Sequence, residues 1–444
     1  MNLRTHIRET TKLAIPISFG QLGHILMGVV DSVMVGKVGY ASLAAASLVN
    51  GLFFLVLVIG IGLSFAATPL IAIANGESNK PECGKILNQS LIANLSFSVI
   101  LFIAIFSLSF VIPYMNQPKE VVEQAVPYLQ VLTLSIFPFL IFQSYRQFLE
   151  GLSLPNAPMI IALAANLLNA FLNWIFIYGN LGFDAMGLFG AGIATTITRY
   201  IMAAALVLFT LNYQRVVEYA PRLNVKPLDW NLIKKLFRIG IPSGFQYFLE
   251  VACFSFATIM VGWIGSKQQA AHQIALNLAS VTYMIMLGIS SAGTIRVGGA
   301  VGKNDNKEIR LAGFTALGMS ALLMLSFAII MLLFRETLPT FYNKNPEVVS
   351  YASSLLIIAG MFQIFDGLQA TGIGVLRGLT DVKIPLYVSL LSYWVIAIPI
   401  AYVLGFIYKY GVYGIWIGLL LGLLSVGVTL LIRFNKKSRH PIHI

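Results

Sequence analysis

Val33-Met-Val-Gly-Lys-Val-Gly39 and, 226 residues further on, Ile259-Met-Val-Gly-Trp-Ile-Gly265 are two versions of one segment. The register extends in both directions without a gap. Pro16 falls on Pro242, Ala44-Ala45 on Ala270-Ala271, Gly62 on Gly288, Thr68 on Thr294 and Gly76 on Gly302. Further on, at an offset of 227, Leu149, Gly151 and Pro158 meet Leu376, Gly378 and Pro385, and at 224 Gly187 and Gly190 meet Gly411 and Gly414. A register this constant is not produced by a scatter of common glycines. The chain is a duplication, and internal duplication is a common device of membrane transporters.

The duplicated unit is apolar. Of 444 residues, 58% are hydrophobic and 10% charged, with a mean hydropathy of +0.83. A water-soluble domain carries about 25% charge because it must present a solvated surface. Apolar runs near 13–35, 47–74, 86–111, 126–149, 159–178, 187–211, 239–262, 272–295, 311–334, 348–374, 384–407 and 411–432 are each long enough to cross a hydrocarbon core of about 30 Å as a helix. The fold class expected is an all-α membrane protein of twelve transmembrane helices, built as two six-helix repeats. Six crossings return the chain to the side it left, so the repeats run parallel about an axis along the membrane normal. The expected organisation is a first lobe over 1–211, a polar cytoplasmic linker over 212–235 and a second lobe over 236–444.

A net charge of +12 would suggest nucleic acid in a soluble protein. With the N-terminus placed in the cytoplasm, however, 22 of the 29 basic residues, Arg146, Arg222, Lys226 and Arg377 among them, fall in inside segments and 6 outside, with Arg199 inside a span. The excess is therefore topological. It places both termini in the cytoplasm, the protein in the inner membrane, and nucleic acid off the list of partners. Met1 to Lys12 is too polar and the run after it too long for a secretory signal. Cys83, in a polar loop, and Cys253, mid-helix, are not expected to pair. No nucleotide loop, zinc signature or nucleophile elbow is present, so the reading is a transporter without a resident cofactor, not an enzyme. The chain reads as a monomer in the bilayer.

Ionisable groups at bilayer depth are costly and face protein or a wet cavity. Of the 17 acidic residues, Asp31, Glu250 and Asp366 fall inside spans; Glu150 sits at a helix end, paired or solvated. Asp31 shares a helix face with Gln21, His24 and Gly28, and Asn166, Asn169 and Asn173 stripe the fifth span. Counting turns brings Asp31, Asn173 and Thr195 to matched depth. A carboxylate with amide and hydroxyl oxygens is a hard-oxygen set for a small cation, Na+ at Asp31, Asn169 and Asn173, with Thr195 completing it. The alternative is that the asparagines only bond helix to helix. In the second half, Glu250 follows Gln246 and Tyr247 by one turn, and Asp366 shares a face with Gln363 and Gln369. These two acids reach similar depth and suit a second cation, an exchanged proton or a cationic substrate. Gln273 and Asn277 either join that lining or bridge helices. The repeat aligns His24 with Glu250, Asp31 with Ala257 and Asp366 with Phe139, so the ionisable groups break the symmetry that the glycines keep. Pro399 predicts a kink in the eleventh span.

The chain resembles the multidrug and toxic compound extrusion family, in its NorM-like branch. The resemblance is carried by Pro16 to Gly39, Asn169 to Gly179, Ile239-Gly-Ile-Pro-Ser-Gly-Phe-Gln-Tyr-Phe-Leu-Glu250, Ala270-Ala-His-Gln-Ile-Ala-Leu-Asn277, and Phe362-Gln-Ile-Phe-Asp366 with Leu376-Arg-Gly378. It implies export of amphipathic, often cationic compounds by antiport against Na+ or H+. The family's first-helix aspartate falls on Asp31, its polar pair on Asn169 and Asn173, and its second-lobe acids on Glu250 and Asp366. Two positions depart from the pattern: Asn173 stands where some relatives carry an acid, and Phe362 where tyrosine is frequent. A flippase of lipid-linked or other polar metabolites in the same superfamily is the alternative. That cargo would favour a more basic cavity than Arg199 alone supplies.

Overall fold

The structure, a computed structural model, describes residues 3–219 and 228–439. Arg222 and Lys226, counted above among the inside charges, and the middle of the linker lie outside the described residues. Contacts group the chain into two compact units, Phe19–Gly244 and Met1–Ser18 with Phe245–Ile444. These bounds differ from the lobes expected at 1–211 and 236–444. Each of two long helices begins in one unit and ends in the other, and the two switch points, after Ser18 and after Gly244, are themselves 226 residues apart.

The described helices supply the twelve spans. The first half contributes α1 (Leu3–Gly36), α2 (Tyr40–Ser64), α3 (Ala67–Gly76), α4 (Lys80–Val111), α5 (Lys119–Thr133), α6 (Ile136–Gly151), α7 (Asn156–Tyr178), α8 (Gly187–Asn212) and the short α9 (Gln214–Val217). The second contributes α10 (Trp230–Ile264), α11 (Ser266–Gly302), α12 (Asn306–Leu333), α13 (Pro346–Gly378), α14 (Lys383–Leu390), α15 (Ile398–Tyr402) and α16 (Val412–Lys437). Eleven spans are continuous by length and apolarity, and the twelfth is the pair α5–α6, bent by 43°.

Proline explains the interruptions. A proline has no N–H to give the carbonyl four residues back, and its ring crowds that carbonyl. Pro138 faces Leu134, where α5 gives way to α6, and the chain tightens there: the N–H groups of Leu134 and Ser135 reach back only three residues, to Val131 and Leu132. Pro69 faces Phe65 in the same way, between α2 and α3. The expected kink at Pro399 takes another form. The helix stays continuous over Lys383–Ile407, but widens into π turns at Leu391–Ala397 and Val403–Ile407.

Several of the glycines that keep repeat register are packed too closely for a side chain. Within the unit Phe19–Gly244, a Cβ on Gly62 would stand 2.1 Å from Cα of Gly244; within the other, a Cβ on its repeat partner Gly288 would stand 2.0 Å from Ser18 Oγ. Ser18 and Gly244 are also a repeat pair. Gly190 would meet the Phe176 carbonyl oxygen at 2.4 Å and Gly414 the Leu404 carbonyl carbon at 2.5 Å; Gly151 and Gly378 would each clash at 2.8 Å. No side chain fits at such contacts, so selection for close helix approach holds these positions in both halves. In the unit Met1–Ser18 with Phe245–Ile444, Arg296 also grips the start of α1, donating to the His6 carbonyl and Thr10 Oγ1 at 2.8 Å.

Candidate functional site

α1 brings Asp31 against α7 and α8. Tyr178, at the end of α7, donates its hydroxyl to the Met34 carbonyl at 2.9 Å and pins the outer part of α1. The α7–α8 turn is held by left-handed Gly179 and by Met186 N–H donating to Phe176. Between these anchors Asn173 Nδ2 donates to Asp31 Oδ1 at 2.5 Å and to Asn169 Oδ1 at 3.2 Å. Thr195 Oγ1 donates to Asp31 Oδ2 at 3.3 Å and accepts from Asn169 Nδ2 at 3.4 Å. All four predicted residues are brought together. Asn169 and Asn173 are fully buried, and Asn173 Oδ1 has no hydrogen-bond partner among the described residues. The amide of Asn173 thus turns its NH2 end to the carboxylate and leaves its oxygen unspent. Rotating the amide replaces a donor by an acceptor.

Other expected neighbours of Asp31 go elsewhere. Arg146 Nη1 lies 3.5 Å from Gln21 Oε1 and 3.3 Å from His24 Nε2, and its Nε donates to Glu150 Oε1 at 2.7 Å. Since a guanidinium only donates, His24 accepts at Nε2 and carries its proton on Nδ1. Arg146 and Glu150 form a buried ion pair, so Arg146 is a packing residue rather than the inside-loop charge expected from the sequence. Arg199, one turn beyond Thr195, donates to Ser135 Oγ at 2.7 Å and lies over the rings of Phe53 and Phe139 at 5.4 and 5.0 Å. Its charge is held by aromatic faces. Thr196, the next residue after Thr195, donates to the Val131 carbonyl.

In the second unit Glu250 is buried and its Oε2 accepts from Gln246 Nε2 at 3.1 Å and Gln369 Nε2 at 2.9 Å. Tyr283 and the buried Asp366 lie within electrostatic reach of the same carboxylate. Gln273 and Asn277 make no hydrogen bond to Glu250 among the described residues. Both are exposed on α11 and bond each other at 3.5 Å. Helical spacing put them on one face but could not say what that face meets. Tyr283 escaped notice because nothing in the sequence marks one tyrosine out of 18. Arg377, counted as an inside charge, stands instead within electrostatic reach of Glu250. Phe362 packs its ring on Phe254 and Trp416, at 6.1 and 5.7 Å. His272 accepts at Nδ1 from Trp416 Nε1 and meets Thr258 Oγ1 at 3.0 Å, so this histidine is saturated by structural bonds. Cys83 lies in the first turn of α4 and is buried, not in a loop as expected.

The MatE family model matches twice, over residues 16–175 and 242–403, beginning at the paired prolines of the repeat. The multidrug resistance protein NorM of Aliivibrio fischeri is 33% identical over 444 residues, 98% of this chain and 95% of that one. The multidrug resistance protein MdtK of Yersinia pseudotuberculosis is 31% identical over 439 residues, 98% and 96% of the two chains. Among solved structures, the eukaryotic MATE transporter AtDTX14 shares the fold with a TM-score of 0.89 at 22% identity, covering 98% of both chains. An outward-facing multidrug resistance MATE family transporter of the MOP superfamily gives 0.87 at 21% identity, covering 98% of this chain and 96% of that one. With the doubled six-helix build and matches over nearly its whole length, the chain belongs to the MatE family of multi-pass membrane transporters.

Proposed function

We propose that this protein is a cation-coupled antiporter of the inner membrane, both termini cytoplasmic, that exports amphipathic and often cationic organic compounds by alternating access. The observation that carries the reading is the set Asp31, Asn169, Asn173 and Thr195, Asp31 half-buried and the other three buried, with Asn173 Oδ1 unpartnered among the described residues. One carboxylate among neutral oxygens matches one monovalent charge; a divalent ion would call for more anionic ligands. Na+ would be held by Asp31 with the turned amide of Asn173, Asn169 Oδ1 and Thr195 Oγ1. A proton would sit on Asp31 and be donated to the same amide oxygen. Either ion draws α1 toward α7 and α8, and it drives the cycle only through a difference in affinity between the two access states. Glu250 and Asp366 then offer a second cation or substrate-neutralising site. The names of the relatives, multidrug resistance proteins, support the cargo class.

The test is efflux of a fluorescent organic cation from proteoliposomes under imposed Na+ or H+ gradients. One gradient should accelerate wild-type efflux, and Asp31→Asn should cut that acceleration at least about tenfold, the loss of one charge-assisted contact or more. Efflux indifferent to both gradients, or unchanged in Asp31→Asn, overturns the proposal.

A further inference from the structure

The π turn Leu391–Ala397 sits where the helix must live with Pro399. Ile398 N–H reaches back five residues to the Tyr393 carbonyl, and Pro399 has no N–H to restore the ordinary register. π turns of this kind are frequent at functional sites. This one is fastened to α10 on both sides of Glu250: Trp394 Nε1 donates to the Leu249 carbonyl at 3.3 Å, and Cys253 Sγ lies 4.0 Å from the Tyr393 carbonyl. Tyr393 is 1% exposed, and its hydroxyl has no hydrogen-bond partner among the described residues. Glu250 and Asp366 are the carboxylates within its electrostatic reach, with the thiol of Cys253. Gln369 gives its Nε2 to Glu250, and its fully buried Oε1 is equally without a partner. A phenol oxygen and an amide oxygen, both buried and both unspent, thus belong to a turn fastened to α10 beside Glu250 and to the glutamine that bonds Glu250.

We propose that Tyr393 is a further ligand of the cation held by Glu250 and Asp366, presented to it by the π turn, with Gln369 Oε1 as its neutral companion. The inference rests on the reading of Glu250 and Asp366 as a cation site. The phenol oxygen is bonded to neither acid here, and so has a lone pair free to turn to the ion when the ion arrives. Being neutral, it adds coordination without changing the charge that the acids neutralise. Its contribution is therefore to affinity and ion preference rather than to stoichiometry.

Initial rates of fluorescent-cation efflux, measured against the concentration of the driving cation, Na+ and H+ in separate series, test the proposal. Tyr393→Phe keeps the buried ring and removes the oxygen. It should raise the half-saturating cation concentration about tenfold, the worth of one hydrogen bond to a charged group, with the maximal rate retained. Ser389→Ala, which removes another buried hydroxyl one turn earlier, should leave the half-saturation where it is. Glu250→Gln should abolish the response. Wild-type half-saturation in Tyr393→Phe, while Glu250→Gln loses coupling, overturns the tyrosine inference alone. So does a lowered maximal rate at every cation concentration, or an equal shift in Ser389→Ala, since either marks a packing role. Unchanged coupling in Glu250→Gln overturns the reading beneath it.

Discussion

Asparagine 173 shows how much one carboxamide can decide. It stands where an acid would give Asp31 a second carboxylate, and it supplies instead a donor to Asp31 and an unspent oxygen. Asp31 is consequently the one carboxylate in this hydrogen-bonded group. Arg146 makes the complementary case for a charge that does not transport. Its side chain and that of Glu150 are 5% and 3% exposed, and removing one partner leaves the other charged, buried and unpaired. Arg146→Gln should therefore destabilise the protein by about 3–5 kcal/mol, read as a lowered midpoint of thermal unfolding in detergent. Replacing both residues by apolar side chains of similar volume should recover much of that loss. Equal unfolding midpoints for Arg146→Gln and wild type would show that the pair contributes nothing. From sequence Arg146 counted only as an inside charge, because hydropathy averages over a window and cannot register a neighbour four residues away on the same helix.

Among the elements, proline and glycine write most of the architecture. Pro69 and Pro138 open breaks four residues upstream, and Pro399 is absorbed by widened turns on either side. Pro138 carried the same signal that was heeded at Pro399, yet the run 126–149 looked like one uninterrupted span. Glycines do the opposite work, permitting contact. Gly62 touches the backbone of Gly244 so closely that no Cβ fits. Gly62→Leu should then cost at least about 1–3 kcal/mol by overpacking, since backbone cannot yield as a flexible side chain can. The same substitution at Gly28, where a Cβ would meet nothing within 4 Å, should leave the unfolding midpoint near wild type. Comparable losses at the two positions would remove close approach as the reason for the repeat's glycine register.

For the whole molecule, duplication and exchange belong together. Each compact unit takes the opening stretch of one long helix from outside its own half of the sequence, and the switch points at Ser18 and Gly244 obey the repeat. Neither half of the chain therefore contains a complete unit. Expressed separately, residues 1–219 and 228–444 should each fail to accumulate as folded protein. Coexpressed, they should copurify and restore efflux. A half that is stable alone, by thermal unfolding in detergent, would contradict the exchange. The switch was not legible beforehand, since apolar periodicity continues straight through both helices.

What the sequence determined alone was whatever depends on the chain locally or on the chain compared with itself. That covers twelve spans, the duplication, the glycines of close approach, and the short list of acids at bilayer depth. Hydropathy and register record these directly, because lipid must be matched residue by residue and duplicated contacts preserve their small residues. Only the tertiary structure decided which polar groups meet. It gave Asp31 to Asn173 and Thr195, gave Gln21 and His24 to Arg146, bonded Gln273 to Asn277, and placed Tyr283 and Tyr393 within electrostatic reach of Glu250. Those pairings depend on how each helix is rotated about its axis and which helix it faces. A period of 3.6 residues names a face without naming its partner.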